Sequence, residues 1–458
     1  MKYVGALVHL PLLLAACSSA PSSRGDGLVV SPASEVRQGQ SGIRLTLTRE
    51  GGGLANPSQV DFQDLDIVVA PGSTDVRLEL AVTVPHGALL GPKTLTITTP
   101  IRTTTAVDAV DVTAITAGPE GLDSELGTAH APFRSLEQAL RVSDSGDTVT
   151  LHGGTYRESS GEAWGYVVPD GLTISGDGAS TTLLESDAQA PSGLEPSARL
   201  TVRDLSLSGF AIGIKAGTAA QLSLQSAEVR GSISALEVDG DDVTVDVSDS
   251  QLSASSEAAL RVADGSHRSQ VSVRGARLTG GVFDADSASA LLVDATTIDA
   301  RASSAGINFG GAKLDVSASE IQVGAGSYGV SLRSGAASFA HVTIQGGAYG
   351  VYQLTGSSKL RDTRLHGYET VGLYYASGAV DLGTATEAGN NAFSGSSAHL
   401  DAYGIYINLD TSPVTCSNTS FNGVIPDAGT VKAGADAISV AGAYLLNPGQ
   451  TLQFFRVN

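Results

Sequence analysis

Tyrosine is concentrated in one part of this chain and recurs there at a regular interval. Eight of the twelve tyrosines lie between residues 328 and 406. When the segments GVYQ, GLYY and GIYI are aligned, Tyr352, Tyr374 and Tyr406 occupy the same position. A row of exposed phenol rings offers apolar faces with polar tips, which suits the faces of sugar rings. The three tyrosines are therefore candidate glycan-binding residues. The alternative is a tyrosine ladder that only stacks and stabilises neighbouring strands.

A second group of residues is acidic and lies between positions 237 and 249. Within it, Asp239, Asp241 and Asp242 are weak candidates for a Ca²⁺ site, because several carboxylate and carbonyl oxygens bind this ion. Neither an EF-hand loop nor a G-G-x-G-x-D repeat is present. Asp and Gly are also the residues that tight turns prefer, so the alternative is a hydrophilic corner without a ligand. No other cofactor is predicted.

The sequence assigns no catalytic residues. A glycoside hydrolase needs two carboxylates beside the scissile bond, and a polyuronate lyase needs Ca²⁺ with an Arg or Lys base. One aligned column of polar positions, predicted to face outward, carries dispersed charges without two neighbouring carboxylates. This favours a non-catalytic protein and leaves a lyase or hydrolase as the alternative. The column consists of Ser206, Glu228, Gln251, Arg277, Thr297, Glu320, Thr343 and Arg364.

These residues belong to a short phrase that recurs between residues 202 and 367, with an apolar sixth residue every 20 to 26 positions. Such a period is typical of stacked-repeat proteins. Each unit reads as short strands separated by Gly, Ser and Asp, and a second strand such as YGVY at 349–352 follows the first. We therefore predict an all-β, parallel β-helix, right-handed because parallel crossovers favour that hand. The sixth residues are Leu207, Val229, Leu252, Leu278, Ile298, Ile321, Ile344 and Leu365.

The segment before the repeats carries the most specific motif of the chain. It consists of Gly127-Thr128, Pro132-Phe133, Ser135-Leu136, Ala139-Leu140, Gly146-Asp147-Thr148-Val149, Gly154, Tyr156 and Glu158. This pattern resembles the first segment of pectin-lyase-like β-helix proteins, and more narrowly an uncharacterised bacterial lipoprotein group. The resemblance implies the fold and leaves the activity open, because the superfamily includes lyases, hydrolases and adhesins. Ser135 with Gln138 predicts a capping box for a short helix that covers the end of the coil.

The first seventeen residues predict a targeting signal. Lys2 precedes an apolar stretch from Val4 to Ala16 that is too short to span a bilayer. It ends in LAAC at 14–17, which resembles the lipobox of bacterial lipoproteins. The resemblance implies that Cys17 carries the lipid, including palmitate, and anchors the protein in the bacterial cell envelope. Ser18 follows the cysteine, which favours the outer membrane in the enteric sorting pattern. The alternative is an ordinary secretory signal peptide.

The remaining segments complete the predicted domain organisation. Residues 18–27 form a tether, 28–105 resemble a bacterial immunoglobulin-like β-sandwich, and 106–131 form a linker. The β-helix occupies 132–440, with an interrupting loop at 379–395, and 441–458 form a C-terminal cap. A capped coil has no exposed strand edge for self-association, so we expect a monomer.

Charge and cysteine content restrict the partners. A net charge of −20 argues against nucleic-acid binding, which requires a basic surface. If Cys17 is lipidated, Cys416 has no intramolecular partner, and its role stays open. The sequence thus predicts a lipid-anchored envelope protein whose non-catalytic β-helix binds polysaccharide or another envelope component. The alternatives are a polysaccharide lyase or glycoside hydrolase of the same fold, and a purely structural surface lipoprotein.

Overall fold

The computed structural model describes residues 22–23, 27–32, 35–384, 386–398, 403–407, 414–421, 432–433, 436–437 and 443–444. The contacts divide the chain into two compact units, Met1–Ala114 and Ile115–Asn458. Strands dominate both units. Over the described ranges, no helix has the length and apolar character needed to span a bilayer.

The first unit consists of two small sheets around one core. Alternating burial in the strands turns residues such as Leu45, Leu80, Leu95 and Ile97 inward, where all four are buried. The first sheet is antiparallel and has the order Ser22–Ser23, Leu28–Ser31, Ile43–Arg49, Arg77–Thr83 and Asp66–Val69. The second has the order Glu35–Arg37, Arg102–Thr113, Gly91–Thr99 and Gln59–Asp61. The immunoglobulin-like assignment of this unit stays a prediction.

The boundary between the units differs from the predicted linker at 106–131. The strand Arg102–Thr113 continues beyond residue 105 because it pairs with both Gly91–Thr99 and Glu35–Arg37. The next strand, Ile115–Ala117, already pairs in parallel with Thr148–Leu151 of the coil. The segment therefore supplies strands to both units, and sequence reasoning missed them because only Ala114 separates the two strands, with no Gly or Pro turn between them.

The second unit is a parallel β-helix of about eleven turns, which confirms the predicted fold class. The first strand of each turn belongs to a sheet that we call sheet A. Its strands are Ile115–Ala117, Thr148–Leu151, Leu172–Gly176, Arg199–Arg203, Gln221–Gln225, Thr244–Ser248, Gln270–Arg274, Ala290–Asp294, Lys313–Ser317, Ala336–Ala340, Ser357–Arg361, Ala379–Leu382 and Val414–Cys416, with Ala443–Tyr444 added antiparallel at the end.

The second and third strands of each turn form two further rows, which we call row B and row C. Four long strands turn the corner and contribute to both rows: Ser206–Ala216, Glu228–Val238, Gln251–Val262 and Arg277–Asp284. The other row B strands are Gly154–Tyr156, Thr182–Glu185, Thr297–Ala300, Glu320–Val323, Thr343–Gly346, Arg364–Tyr368, Ala392–Gly395 and Ser420–Phe421. The other row C strands are Tyr166–Val167, Ser192–Glu195, Ala305–Phe309, Tyr328–Leu332, Tyr349–Gln353, Val371–Tyr375 and Tyr403–Ile407.

The apolar sixth residues of the recurring phrase stack in register along row B. Leu207 pairs with Val229, and the column continues through Ile298 to Leu365. Every predicted member is at most 1% exposed. The coil continues through 379–395, contrary to the predicted interruption, because Ala379–Leu382 and Ala392–Gly395 pair with the preceding strands of sheet A and row B.

A short helix, Leu136–Val142, lies at the start of the coil, as the sequence predicts. The Ser135 side chain caps it by accepting from the Gln138 amide, while Leu136 and Ala139 are buried in the coil's core. The predicted capping box is only half formed, because Asp123 rather than Gln138 accepts from the Ser135 amide. A 3-10 turn, Glu158–Ser160, follows the first row B strand. A pair of two-residue strands, Lys432–Ala433 and Asp436–Ala437, completes the described elements.

Candidate functional site

The structure places the three candidate tyrosines one above another on row C. Tyr352 pairs in register with Tyr374, and Tyr374 pairs with Tyr406. Ser331 precedes Tyr352 in the same column, and Asn308 precedes Ser331. Neighbouring residues of the strands are buried, so strand alternation turns this column toward solvent. The alignment of the three tyrosines is therefore a property of the fold, and their role in glycan binding stays a prediction.

The rings of this column stack face to face. The centroids of Tyr352 and Tyr374 lie 4.5 Å apart with planes 12° from parallel. Those of Tyr374 and Tyr406 lie 5.3 Å apart with planes 7° from parallel. Because these rings cover each other's faces, the column presents mainly ring edges and hydroxyl groups to solvent. The arrangement stabilises neighbouring strands and leaves a sugar little ring face to stack on.

Two further tyrosines extend this column into a cluster. Tyr328 and Tyr349 begin consecutive row C strands, and their rings stack at 5.3 Å with planes 14° from parallel. Tyr349 meets Tyr352 edge-on at 5.2 Å. All five rings are half-buried, and burial raises the pKa of the Tyr349 and Tyr352 hydroxyls, so these groups are neutral at physiological pH. We call this set the tyrosine cluster: Tyr328, Tyr349, Tyr352, Tyr374 and Tyr406.

A groove of about 450 Å³ lies immediately before the tyrosine cluster, at the corner between rows B and C. Phe283 and Asn308, which pair in register on neighbouring turns, both line it. Ala305 also lines it and pairs in register with Tyr328. Among the described residues, no ring stacks on Tyr328 from the Ala305 side, so one face of that phenol is not covered by another ring. Phe283 is the aromatic residue among the described residues that line the groove, and Tyr328 follows on the next turn, in register with Ala305.

The groove continues across row B as a smaller hollow of about 270 Å³. Ser256 and Ser303 line both spaces, and the hollow extends to Asp299 and Arg301. Arg301 donates to both carboxylate oxygens of Asp299, which holds the pKa of that carboxyl below its usual range. Among the described residues that line the two spaces, Asp299 is the one carboxylate, so a hydrolase pair is not assembled there.

The amide of Asn308 supplies the groove's unsatisfied polar atom. Its Oδ1 is buried and has no hydrogen-bond partner within the described part of the chain. An acceptor buried in this way costs about 1–3 kcal/mol unless a donor reaches it. This oxygen has almost no solvent-accessible surface, so a water molecule or a ligand hydroxyl can supply that donor only after the Asn308 amide rotates toward the groove. The groove is large enough for a sugar ring.

The cationic side chains near the groove are already engaged. Arg261 lines the groove and lies 3.4 Å from the Glu237 carboxylate. The Arg333 guanidinium lies 5.4 Å from the centre of the Phe283 ring and donates to the backbone carbonyl of Asp284. Phe283 is thereby held between the groove and a cation. The compensated charge of Arg261 favours a neutral ligand over an acidic one.

Two of the three weak calcium candidates lie in separate ion pairs. Asp239 lies 2.8 Å from the Lys215 ammonium, and Asp242 accepts two hydrogen bonds from Arg268. The backbone carbonyl of Asp241 accepts from the Ala219 amide. In the part of the chain that the structure describes, no group of three or more His, Cys, Asp or Glu residues could hold a metal ion. The calcium site and its alternative, a hydrophilic corner, both stay predictions.

Neither cysteine side chain is among the described parts of the structure. Cys17 lies outside the described residues. Cys416 ends the sheet A strand Val414–Cys416, and only its backbone is described. The column predicted to face outward on row B is in register as expected, from Ser206 and Glu228 to Arg364, although Ser206 is 8% exposed and therefore buried.

The groove itself was not predicted from the sequence. Phe283 belongs to a long strand that turns a corner, whereas Asn308 belongs to a separate short strand, so a fixed repeat spacing does not align them. Pairing of the strands brings them together. One feature of the sequence could have indicated Asn308 as a site residue: it falls in the same outward column as the tyrosines.

Comparisons with known proteins find one family model that matches part of the chain and several solved structures with a similar fold. Residues 119–234, about a quarter of the chain, match a family described as "Protein of unknown function (DUF1565)". No curated protein matches the sequence. The matched segment contains the motif between Gly127 and Glu158 and the first turns of the coil.

Solved structures similar to this chain are of the pectin-lyase-like kind. The catalytic domain of a GH87 alpha-1,3-glucanase in complex with nigerose is 12% identical, with 86% of this chain and 89% of that chain covered and a TM-score of 0.43. Pectin methylesterase PemA from Erwinia chrysanthemi is 10% identical, with 53% and 89% covered and a TM-score of 0.32. Pectate lyase Pel9A is 13% identical, with 74% and 90% covered and a TM-score of 0.27. These similarities concern the fold and not the activity.

Proposed function

We propose that this protein binds polysaccharide without cleaving it, in the groove beside the tyrosine cluster. The observation that carries the proposal is Asn308 in a groove that Phe283 also lines, with a buried Oδ1 that has no hydrogen-bond partner among the described residues. Rotation of the Asn308 amide would bring this oxygen to a sugar hydroxyl while the sugar ring packs against Phe283 or the uncovered face of Tyr328. The hydroxyl groups of Tyr352, Tyr374 and Tyr406 would then contact further sugar units of the polysaccharide as it extends along the coil.

The electrostatics of the site favour a neutral glycan. Both arginines that line the groove and the hollow face a carboxylate, Glu237 for Arg261 and Asp299 for Arg301. The absence of a second carboxylate among the described lining residues favours binding over hydrolysis. A lyase or hydrolase activity stays the alternative, and another envelope component is the alternative partner.

One experiment separates these possibilities. The purified full chain is incubated with neutral and acidic polysaccharides, and the bound fraction and polymer length are measured in the same samples. We expect retention of a neutral polymer at unchanged length, and a roughly tenfold weaker Kd for Phe283→Ala, about 1.4 kcal/mol. Shortened polymer would establish the enzyme alternative. Absence of both retention and cleavage would favour a structural lipoprotein.

We also propose that the protein is anchored by lipid on Cys17, at the outer membrane of a bacterial cell envelope, and acts there as a monomer. Support for this comes from the LAAC sequence directly after a short apolar stretch. Labelled palmitate should be incorporated into the wild-type chain and lost in Cys17→Ala, with the protein moving from the membrane to the soluble fraction. Membrane association that persists in Cys17→Ala would contradict lipid anchoring.

A further inference from the structure

We propose that Tyr352 and Tyr374 form an oxidative cross-linking site at which a dityrosine bond joins two neighbouring turns of the coil. The proposal is independent of polysaccharide binding. It concerns the chemistry of two phenols that the fold holds together on its surface. Their strands pair in register, so the two side chains leave adjacent strands at the same height.

The geometry of this pair brings the coupling positions close together. The ring centroids are 4.5 Å apart and the planes differ by 12°, the shortest ring separation in the tyrosine cluster. With the two rings nearly parallel at this separation, a small slide of one ring over the other brings an ortho carbon of each into contact.

The reaction needs a one-electron oxidant, and a haem peroxidase supplied with hydrogen peroxide is the appropriate class. The oxidant removes one electron and one proton from each phenol. The two phenoxyl radicals form one carbon–carbon bond between ortho positions, and each ortho hydrogen then moves to its oxygen to restore the aromatic rings. The protein loses two hydrogen atoms in total, and one hydrogen peroxide becomes two water molecules.

The fold favours coupling within one chain over coupling between chains. Two groups held in contact react as if at a very high local concentration. Tyr352 and Tyr374 are half-buried, so an oxidant can reach their edges while a second protein molecule has little access to their faces. By contrast, Tyr156, Tyr368 and Tyr375 are at most 2% exposed and should not react.

The test treats the full chain with peroxidase and hydrogen peroxide, follows dityrosine fluorescence, and locates the cross-link by mass spectrometry after trypsin digestion. The expected product joins the peptide of residues 334–359 to that of residues 365–432, with fragmentation placing the bond at Tyr352 and Tyr374. Tyr374→Phe should lose this product, whereas Tyr406→Phe, which leaves the pair intact, should retain it. Circular dichroism confirms that each variant is folded.

Unfolding in urea serves as a second control, because it separates the strands without changing the sequence. We expect the intramolecular product to be lost there and replaced by cross-links between chains. Three results would overturn the proposal: the same cross-link in Tyr374→Phe, the same yield in urea, or cross-linked dimers as the sole product of the folded wild-type chain.

Discussion

Asp284 is a carboxylic acid in the interior of the coil. Its side chain is fully buried, and it accepts hydrogen bonds from the Ser289 hydroxyl and the Asp286 amide. Burial is the main influence and raises the pKa of the Asp284 carboxyl to about 6, with the neighbouring Asp286 adding to the increase. Arg333 acts in the opposite direction. The folded protein therefore binds this proton more tightly than the unfolded chain does.

This difference predicts that acid stabilises the coil over a defined range. From pH 3.8 to about pH 6, the folded state keeps the Asp284 proton while the unfolded state loses it. The free energy of unfolding should therefore fall as pH rises through this range, by at most about 3 kcal/mol. Urea denaturation at several pH values measures the slope, and Asp284→Asn should remove this residue's part of it. A slope unaffected by that substitution would contradict the assignment.

The helix Leu136–Val142 shows how one element depends on a distant side chain. Glu162 is buried and accepts hydrogen bonds from the amides of Leu136 and Glu137, which begin the helix, and from the Tyr166 hydroxyl. These donors would otherwise be unsatisfied at a helix N-terminus. Burial nevertheless raises the pKa of the Glu162 carboxyl, because desolvation outweighs the hydrogen bonds.

Removing this acceptor should destabilise the cap of the coil. We expect Glu162→Ala to lower the free energy of unfolding by about 2–3 kcal/mol, since two backbone donors and one hydroxyl lose their partner. Glu137→Ala is the matched control, because Glu137 makes an exposed i,i+4 pair with Arg141 worth only about 0.5 kcal/mol. Chemical denaturation measures both values, and equal losses would contradict this role of Glu162.

The turn between sheet A and row B repeats one backbone conformation along the coil. Each of its ten consecutive examples places one residue in the left-handed region, although only one of them is glycine. The following polar residue often bonds to the turn next to it, as when Ser319 accepts from the Thr296 amide. These residues are Asp204, Ser226, Asp249, Gly275, Ala295, Ala318, His341, Asp362, Asn390 and Asn418.

This conformation predicts a stabilising substitution. Ala318 is exposed and has a φ of 47°, a region that costs a residue with a side chain about 1–2 kcal/mol. Ala318→Gly removes that cost, but glycine also makes the unfolded chain more flexible, which offsets part of the stabilisation. We expect the free energy of unfolding to rise by up to about 1 kcal/mol. Ala336 is an exposed strand residue, and Ala336→Gly should instead lower the free energy of unfolding by about 0.5–1 kcal/mol. Denaturation midpoints with opposite shifts would agree with this account, whereas a loss in both variants would not.

At the scale of the whole molecule, a column of glycines lets successive turns approach closely on row C. A Cβ added to Gly350 would lie 2.6 Å from the Gly372 carbonyl oxygen, and one added to Gly329 would lie 2.3 Å from the Gly350 oxygen. We expect Gly350→Ala to destabilise the coil by about 1–3 kcal/mol through forced displacement of the next turn. Gly217→Ala, with its nearest neighbour at 3.6 Å, is the control and should have little effect. Comparable losses in both would refute the close-packing explanation.

The repeat made most of the coil predictable. The period of Leu207 and its equivalents gives the inward column, and strand alternation then places Tyr352, Tyr374 and Tyr406 in line. The same local reasoning could not find the groove, which depends on pairing between a strand that turns a corner and one that does not. It also could not show that the rings cover each other, because stacking depends on side-chain torsions that spacing does not determine.

Asn308 and Phe283 line the groove in which we propose that a glycan binds. The most direct measurement is the Kd of the full chain and of Asn308→Ala for the polysaccharide that the wild type retains, with Ser338→Ala on sheet A as a control. The proposal predicts that Asn308→Ala weakens binding about tenfold, or 1.4 kcal/mol, while Ser338→Ala binds like the wild type. Equal affinity for all three proteins would contradict binding in the groove.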